Sequence, residues 1–395
     1  MAVIYDIPEL GPEERAALSQ IDELRRQLRF SVADPKRWVG SVRRVLAARA
    51  IQGSNSIEGY NVSVEDAVAA IEGDEPTTAE KEDWNAVLGY RRAMTYVLQM
   101  AQDPHFELTP AVVRSLHFMM TEYSLDAGPG LWRPGAIWIR NDLTGEVVYE
   151  GPDAEVVPAL MAQVVAQMVA ADDVPPMVSA AVAHLNVAMV HPFRDGNRRM
   201  ARCLQTLVLA RDGILAPELS SIEEYLGANT RRYYDVLGEV GHGAWHPDND
   251  ARPWVRFCLE AHFVQATSVL RRIRESQQVW LAIETLAHDH GLHERTLDAL
   301  FDATIGLRIR NSSYRASLAT WGAEISNQTA TIDLAKMVAA GLLEKHGEKR
   351  GTYYLAADAL RQVRQRLVVG RQPIDVSGLF AVPDAPNNDP ELPFR

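Results

Sequence analysis

The chain has 395 residues, 47% of them hydrophobic and 23% charged, so it is long enough for two or three domains and ordinary in composition for a globular protein. Its formal net charge of −12 opposes whole-chain attraction to nucleic acid. The two cysteines, Cys203 and Cys258, stand in no paired-ligand spacing, which argues against a disulfide framework or a zinc site.

The first hundred residues read as helices. Glu13 to Leu28 is polar and helix-prone, Val42 to Ile51 is amphipathic, and Val64 to Ile71 and Glu82 to Gln99 continue the pattern. Pro110 opens another helix over AVVRSLHFMM. At Gly128 the texture changes: GPGLWRPGAIWI leads into two short strands, around Ile137–Ile139 and Val147–Tyr149, with Asn141 to Gly145 as their turn. Helices resume over Ala154–Ala171 and Pro176–Val190, restart after Gly196 and run to about Thr267, with a loop at Gly241–Asp250. From about Ser276 the chain reads as a separate unit. Ser326 to Thr329 caps a helix through Ile332, Leu334, Met337 and Val338, and a charged turn at Lys345 to Gly351 precedes Tyr353-Tyr354-Leu355. Helix, helix, hairpin is a winged-helix pattern. The residues from Arg371 on are rich in Pro, Asp and Asn and read as lacking fixed structure. No apolar run is long enough to span a bilayer, and the start lacks the features of a signal peptide, so the expectation is a cytoplasmic protein that is not in a membrane.

The segment His191-Pro192-Phe193-Arg194-Asp195-Gly196-Asn197-Arg198-Arg199-Met200-Ala201-Arg202 carries the chemistry. It places an imidazole, a carboxylate, a glycine and four arginines in one loop and first helical turn. A helix N-terminus offers unpaired N–H groups and a positive dipole end, so it can hold a phosphate, and glycine lets that phosphate approach closely. Arg198 and Arg199 lie four and three residues before Arg202, so their side chains can converge. Asp195 is a hard oxygen ligand suited to Mg²⁺, and His191 can take a proton near neutral pH. These are parts for phosphoryl or nucleotidyl transfer.

This string resembles the signature of the Fic family, HPFx[D/E]GNGRxxR, at every defined position but one, and the resemblance covers roughly residues 40 to 260. It implies a mainly α fold with a Fic-type helical core and a small β-hairpin flap. It also implies a protein adenylyltransferase that moves AMP from ATP to a Ser, Thr or Tyr hydroxyl of a target protein. His191 is then the general base and Asp195 the Mg²⁺ ligand. Gly196 and Asn197 form the anion loop, and Arg199 and Arg202 contact the outer phosphates. Arg198 stands where the family usually has a second glycine, also beside the inner phosphates. The related death-on-curing toxins carry a basic residue there, which leaves protein phosphorylation as an alternative.

Ser54-Asn55-Ser56-Ile57-Glu58-Gly59 resembles the family's inhibitory pattern, (S/T)xxxE(G/N). It implies that Glu58 pairs with Arg202 and that Ser54 belongs to the same contact. Ile137, Trp138 and Ile139 resemble the flap that holds the target segment, and Tyr233 and Tyr234 the segment near the nucleotide base. The expected division is 1–105 with the inhibitory motif, 106–267 as catalytic core, 268–370 as winged-helix domain and 371–395 as tail. Ten Lys/Arg stand against five Asp/Glu between Arg308 and Arg366, so a nucleotide-sensing DNA-binding regulator is a second reading. Self-modification and homodimer formation complete the expected partners.

Overall fold

In the computed structural model, the structure describes residues 3–382 except 34–35, 77, 141–144, 171–172 and 214–215. The chain is mainly α. Five helices come first: α1 (Pro12–Ala33), α2 (Val39–Ser56), α3 (Val64–Glu72), α4 (Lys81–Met100) and α5 (Pro110–Thr121). Strands β1 (Trp138–Arg140) and β2 (Val147–Glu150) form the small hairpin. Then follow α6 (Val157–Val169), α7 (Pro176–Val190), α8 (Asn197–Arg211), α9 (Pro217–Ser220), α10 (Glu223–Ala228), α11 (Thr230–Gly241) and α12 (Arg252–Asp289). The chain continues through α13 (Leu297–Thr304), α14 (Asn311–Ala319), α15 (Asn327–Ala339), β3 (Leu343–His346), β4 (Tyr353–Ala356) and α16 (Asp358–Val368).

Local signals set several boundaries. Thr109 accepts from the Val112 N–H and Pro110 takes the first turn of α5. Ser326 caps α15 by accepting from the Thr329 N–H, as its sequence predicts. α7 is mostly apolar and is buried from Met177 to Val190, so it is a central rod of the helical core. It packs between α6 and α8 on one side and α12 on the other, where Trp254 donates its indole N–H to the Ala181 carbonyl at 2.7 Å. Its last N–H bond, from His191 to Val187, closes with His191 in the left-handed region at φ 50°.

Two expectations need correction. The boundary at residue 267 falls inside α12, which runs unbroken for 38 residues. No Gly or Pro interrupts its second half, and its apolar face continues from Val269 through Ile273, Val279 and Ile283 into the core formed with α13–α16. In the described part of the tail Leu379 is buried and Gln20 donates to the Gly378 and Leu379 carbonyls at 3.3 and 3.0 Å, while most of its other residues are exposed. One apolar anchor and backbone acceptors suffice to hold a segment whose composition reads as unstructured. Residues 383–395 lie outside the described residues. Among the described residues no helix is long and apolar enough to cross a membrane.

β1 and β2 pair antiparallel, with Ile139 opposite Tyr149, and their expected turn at 141–144 lies outside the described residues. Tyr149 anchors the hairpin by donating to the Met189 carbonyl at 2.7 Å. The Glu150 N–H donates to the Gly243 carbonyl at 2.9 Å, so β2 is covered and β1 presents the outer edge.

Candidate active site

The loop between α7 and α8 is braced from three sides. Asn197 accepts from the Phe193 N–H at 2.7 Å and donates to the Phe193 carbonyl at 2.9 Å. His117 of α5 stacks on Phe193 at 3.7 Å and bridges the Gly130 N–H and the Asp195 carbonyl, each at 2.9 Å. Because its Nδ1 accepts from Gly130, its Nε2 carries the proton and donates. Arg133 is buried, donates to the His191 carbonyl at 2.9 Å and ties that point to Gly135 and Pro152 near the flap. Neither His117 nor Arg133 stands out in the sequence, because each serves a loop far from it in the chain.

His191 faces this braced site with a defined tautomer. Its Nδ1 lies 3.3 Å from the Ala188 carbonyl, so Nδ1 carries the proton and Nε2 offers the lone pair. Burial, followed by the nearby Arg198 charge, pushes the imidazole down to about 4. It is therefore neutral at pH 7 and competent to accept a proton.

Gly196, at φ 74°, turns the chain into α8, and the first N–H groups of that helix have no intrahelical acceptor. A side chain at Gly196 would meet Thr121 at 3.1 Å. Asp195 Oδ1 accepts from the Gly196 N–H at 2.6 Å while its side chain stays 54% exposed at the mouth of the loop. Among the described residues no three His, Cys, Asp or Glu side chains gather to hold a metal. A lone exposed carboxylate suits Mg²⁺, which takes most of its ligands from phosphates and water.

The arginines divide the work. Arg202 is buried and donates from Nε to Ser54 Oγ at 2.7 Å, and from Nη2 to the Ser54 carbonyl at 2.8 Å and Glu58 Oε1 at 2.9 Å. Its Nη1 has no partner among the described residues, an unsatisfied buried donor at the site. Arg198 does not point to solvent: its Nε lies 3.2 Å from Glu58 Oε2, its guanidinium lies 5.0 Å from the Tyr234 ring centroid, and it donates to the Tyr234 hydroxyl. Glu58 sits in the turn just past α2, and both its oxygens are taken by arginine. Burial alone would raise its carboxyl, but Arg198 and then Arg202 outweigh this and hold it below its usual range. Arg199 is fully buried, with Tyr60 at 5.0 Å, Tyr123 at 3.4 Å and Asp195 at 3.5 Å.

Three expected roles change. Tyr233 is fully buried, edge-on to Trp254 and 3.1 Å from His184 Nε2, so it offers no face to a base. Only Tyr234 reaches the site, where its hydroxyl lies 3.2 Å from the Ile57 carbonyl. The Asn197 side chain is turned onto Phe193, leaving its backbone N–H, not its amide group, for an anion. Ile139 is half-buried under the flap, and Trp138 is exposed.

The Ser54–Gly59 segment is seated by a close helix crossing. A Cβ at Gly53 of α2 would stand 2.6 Å from the Glu223 carbonyl oxygen, and one at Gly227 of α10 2.7 Å from the Gly53 Cα. Beneath it, Tyr90 donates to Glu223 Oε1 at 2.7 Å, and burial raises that carboxyl to about 7.

Residues 107–209 match the model of the Fic/DOC family. Protein adenylyltransferase Fic of Nematostella vectensis is 25% identical over 263 residues, 64% of this chain and 55% of the relative. Protein adenylyltransferase fic-1 of Caenorhabditis elegans is 37% identical over 82 residues, 21% of this chain and 14% of the relative. The chain thus spans about half the length, or less, of these curated relatives. A solved Fic family protein from Desulfovibrio desulfuricans G20 superposes with a TM-score of 0.57 at 21% identity, covering 89% of this chain and 98% of that one. Fic-1 of C. elegans gives 0.52 at 20% identity, with 66% and 72% covered. At this identity the two structures share the fold.

Proposed function

From the premise that the chain carries a Fic-type domain, we propose that it is a protein adenylyltransferase held inactive by its own Glu58. The target hydroxyl oxygen attacks the α-phosphorus of ATP and passes its proton to His191 Nε2. The bond from that phosphorus to the bridging oxygen breaks, and pyrophosphate leaves with the electron pair. The N-terminal N–H groups of α8 and the Arg202 donors stabilise the charge on the phosphates. Asp195 would hold Mg²⁺, which neutralises phosphate charge when bound. The outer edge of β1, from Trp138 to Arg140, lets a target segment add as a strand and bring its hydroxyl to His191.

The observation that carries this reading is the His191 tautomer, with Nε2 as acceptor beside a glycine-led helix N-terminus. Inhibition rests on Glu58, which takes the Arg202 donors a phosphate would need. Removing two ions from water costs several kcal/mol each and offsets much of their attraction, so the pair suits a switch better than a stabilising device. Incubation with ATP labelled at either the α- or the γ-phosphate tests the chemistry. Protein-bound α-label supports adenylyl transfer. Protein-bound γ-label alone means phosphorylation, and neither label on a chain freed of Glu58 opposes both.

A second reading concerns DNA. It is favoured by α15, which is N-capped at Ser326 and exposes Gln328, Thr331, Ala335 and Lys336 on one face, followed by the β3–β4 hairpin as a wing. Against it, Arg308 and Arg310 pair with Asp66 and Asp74 at 3.2 and 3.1 Å, and Arg361 pairs with Glu344 at 2.7 Å. Asp66 and Asp74 lie outside the segment and offset two of its five excess positive charges, whereas Glu344 is already counted within it. Duplex-DNA affinity that falls steeply with added salt supports this reading, and salt-independent or absent binding opposes it.

A further inference from the structure

Away from the active site, four arginines converge on one cavity of about 230 Å³ where α2, α12 and α16 meet. Arg49 comes from α2, Arg272 from α12, Arg364 from α16, and Arg371 from the segment that follows. The rest of the lining is largely apolar, from Val42, Leu46, Val279 and Ile305 among others. Arg49 and Arg272 are half-buried on that floor, whereas Arg364 and Arg371 are exposed to solvent, and like charges gathered this closely repel unless counter-charges offset them.

The carboxylates present match only part of that charge. Glu224 accepts two bonds from Arg272, each at 2.6 Å, and one from Arg49 at 3.3 Å. Glu275 accepts from Arg371 Nε at 2.8 Å. Arg364 makes no hydrogen bond and no salt bridge among the described residues, and Glu65 acts on it and on Arg49 only from a distance. Its Nη1 lies 3.3 Å from where a Cβ at Gly306 would stand, so the guanidinium is set beside a side-chain-free turn. Burial, then Arg49 and Arg371, lower the Arg364 pKa, and burial, then Arg272, lower that of Arg49.

We propose that this cavity binds a small phosphorylated molecule, its phosphate held by Arg364 and Arg49 and its organic body on the apolar floor. Four guanidinium groups facing the two carboxylates that touch them leave an excess that a phosphate monoester, close to doubly charged at pH 7, matches better than a singly charged carboxylate. The planar fork of arginine also suits phosphate oxygens. α2 carries both Arg49 and, just past its end, Glu58, so an occupant would sit against the inhibitory helix.

Titration calorimetry of the full chain at fixed ionic strength tests this with phenyl phosphate and benzoate as probes. Wild type is expected to bind phenyl phosphate with a Kd of about 1 mM or tighter. Benzoate is expected to bind about tenfold more weakly, Arg364→Ala to lose about tenfold in phenyl phosphate affinity, and Arg364→Glu to lose binding. Arg364→Lys keeps the charge without the fork and should fall between wild type and alanine. Arg364 pairs with nothing among the described residues, so thermal midpoints should hold. Equal phenyl phosphate affinity in wild type and the Arg364 variants would place binding elsewhere, the His191–Arg202 loop included, and overturn the proposal. No binding at about 10 mM, or benzoate binding as tightly as phenyl phosphate, would overturn it too. None of these readouts depends on nucleotide transfer, so they stand or fall apart from the proposed activity.

Discussion

Glu58 Oε1 lies 2.9 Å from Arg202 Nη2, although the two residues are 144 positions apart in the chain. The contact joins the turn after α2 to the first turns of α8, the helix whose N-terminus faces His191. It is shared: Arg198 holds the other Glu58 oxygen and leans on Tyr234, which in turn reaches the Ile57 carbonyl.

Arg198→Ala should therefore loosen the inhibitory turn without freeing it. The Arg198 side chain is partly exposed, so its contact with Glu58 is expected to contribute about 1 kcal/mol, and incorporation of adenylyl label into protein should rise about fivefold over wild type. It should stay below the Glu58→Gly level. An unchanged or lower rate would show that Arg198 serves the nucleotide and not the lock.

The close approach of Gly53 and Gly227 gives a way to unseat α2 without touching an ionisable group. In Gly53→Ala the new methyl would stand 2.6 Å from the Glu223 carbonyl oxygen and 2.9 Å from the Glu224 Cα, both backbone, so the helices must part. The expected result is a loss of about 1–3 kcal/mol in denaturant-unfolding stability together with raised basal label transfer. Lower stability with no gain in transfer would separate the helix seat from the lock.

Buried histidines predict acid sensitivity. Burial is the leading cause that pushes His117 and His191 down to about 4 and His184 and His262 down to about 3. In the unfolded chain each takes its proton near about 6.5. Between that pH and about 4 the unfolded state binds more protons, so stability is complete above about 6.5 and falls as pH drops, by up to about 1.4 kcal/mol per pH unit per histidine. Glu223, raised to about 7 by burial, and Asp302, raised to about 6 by burial, act in the opposite sense between their unfolded values and those pH values and together offset about two of the four. The urea midpoint should drop clearly from pH 7.5 to 5, and an equal midpoint at both would contradict this assignment.

What could be read from the sequence follows the distance between interacting residues. The His191–Arg202 string packs its chemistry into one loop, so its parts were legible residue by residue. Glu58 and Arg202 came together only through family resemblance, because nothing local to Glu58 points to a partner so far along the chain. Tyr233 and Tyr234 look alike in sequence, yet neighbouring helical positions face different ways. One packs on Trp254 and the other reaches the site. His117 and Arg133 were not legible, since they act by donating or accepting at backbone atoms of a distant loop, which carries no residue signature. The run through α12 leaves little mark in the sequence, because its apolar face continues while it changes partners.

In the proposed reaction His191 performs the transfer and Glu58 prevents it. Intact and peptide mass spectrometry of wild type, Glu58→Gly and Glu58→Gly/His191→Ala, each incubated with ATP and Mg²⁺, tests it most directly. An added adenylyl mass is expected in Glu58→Gly, on the chain itself or on a supplied target, little in wild type and none in the double variant. Equal addition in wild type and Glu58→Gly, or addition that survives loss of His191, would contradict it.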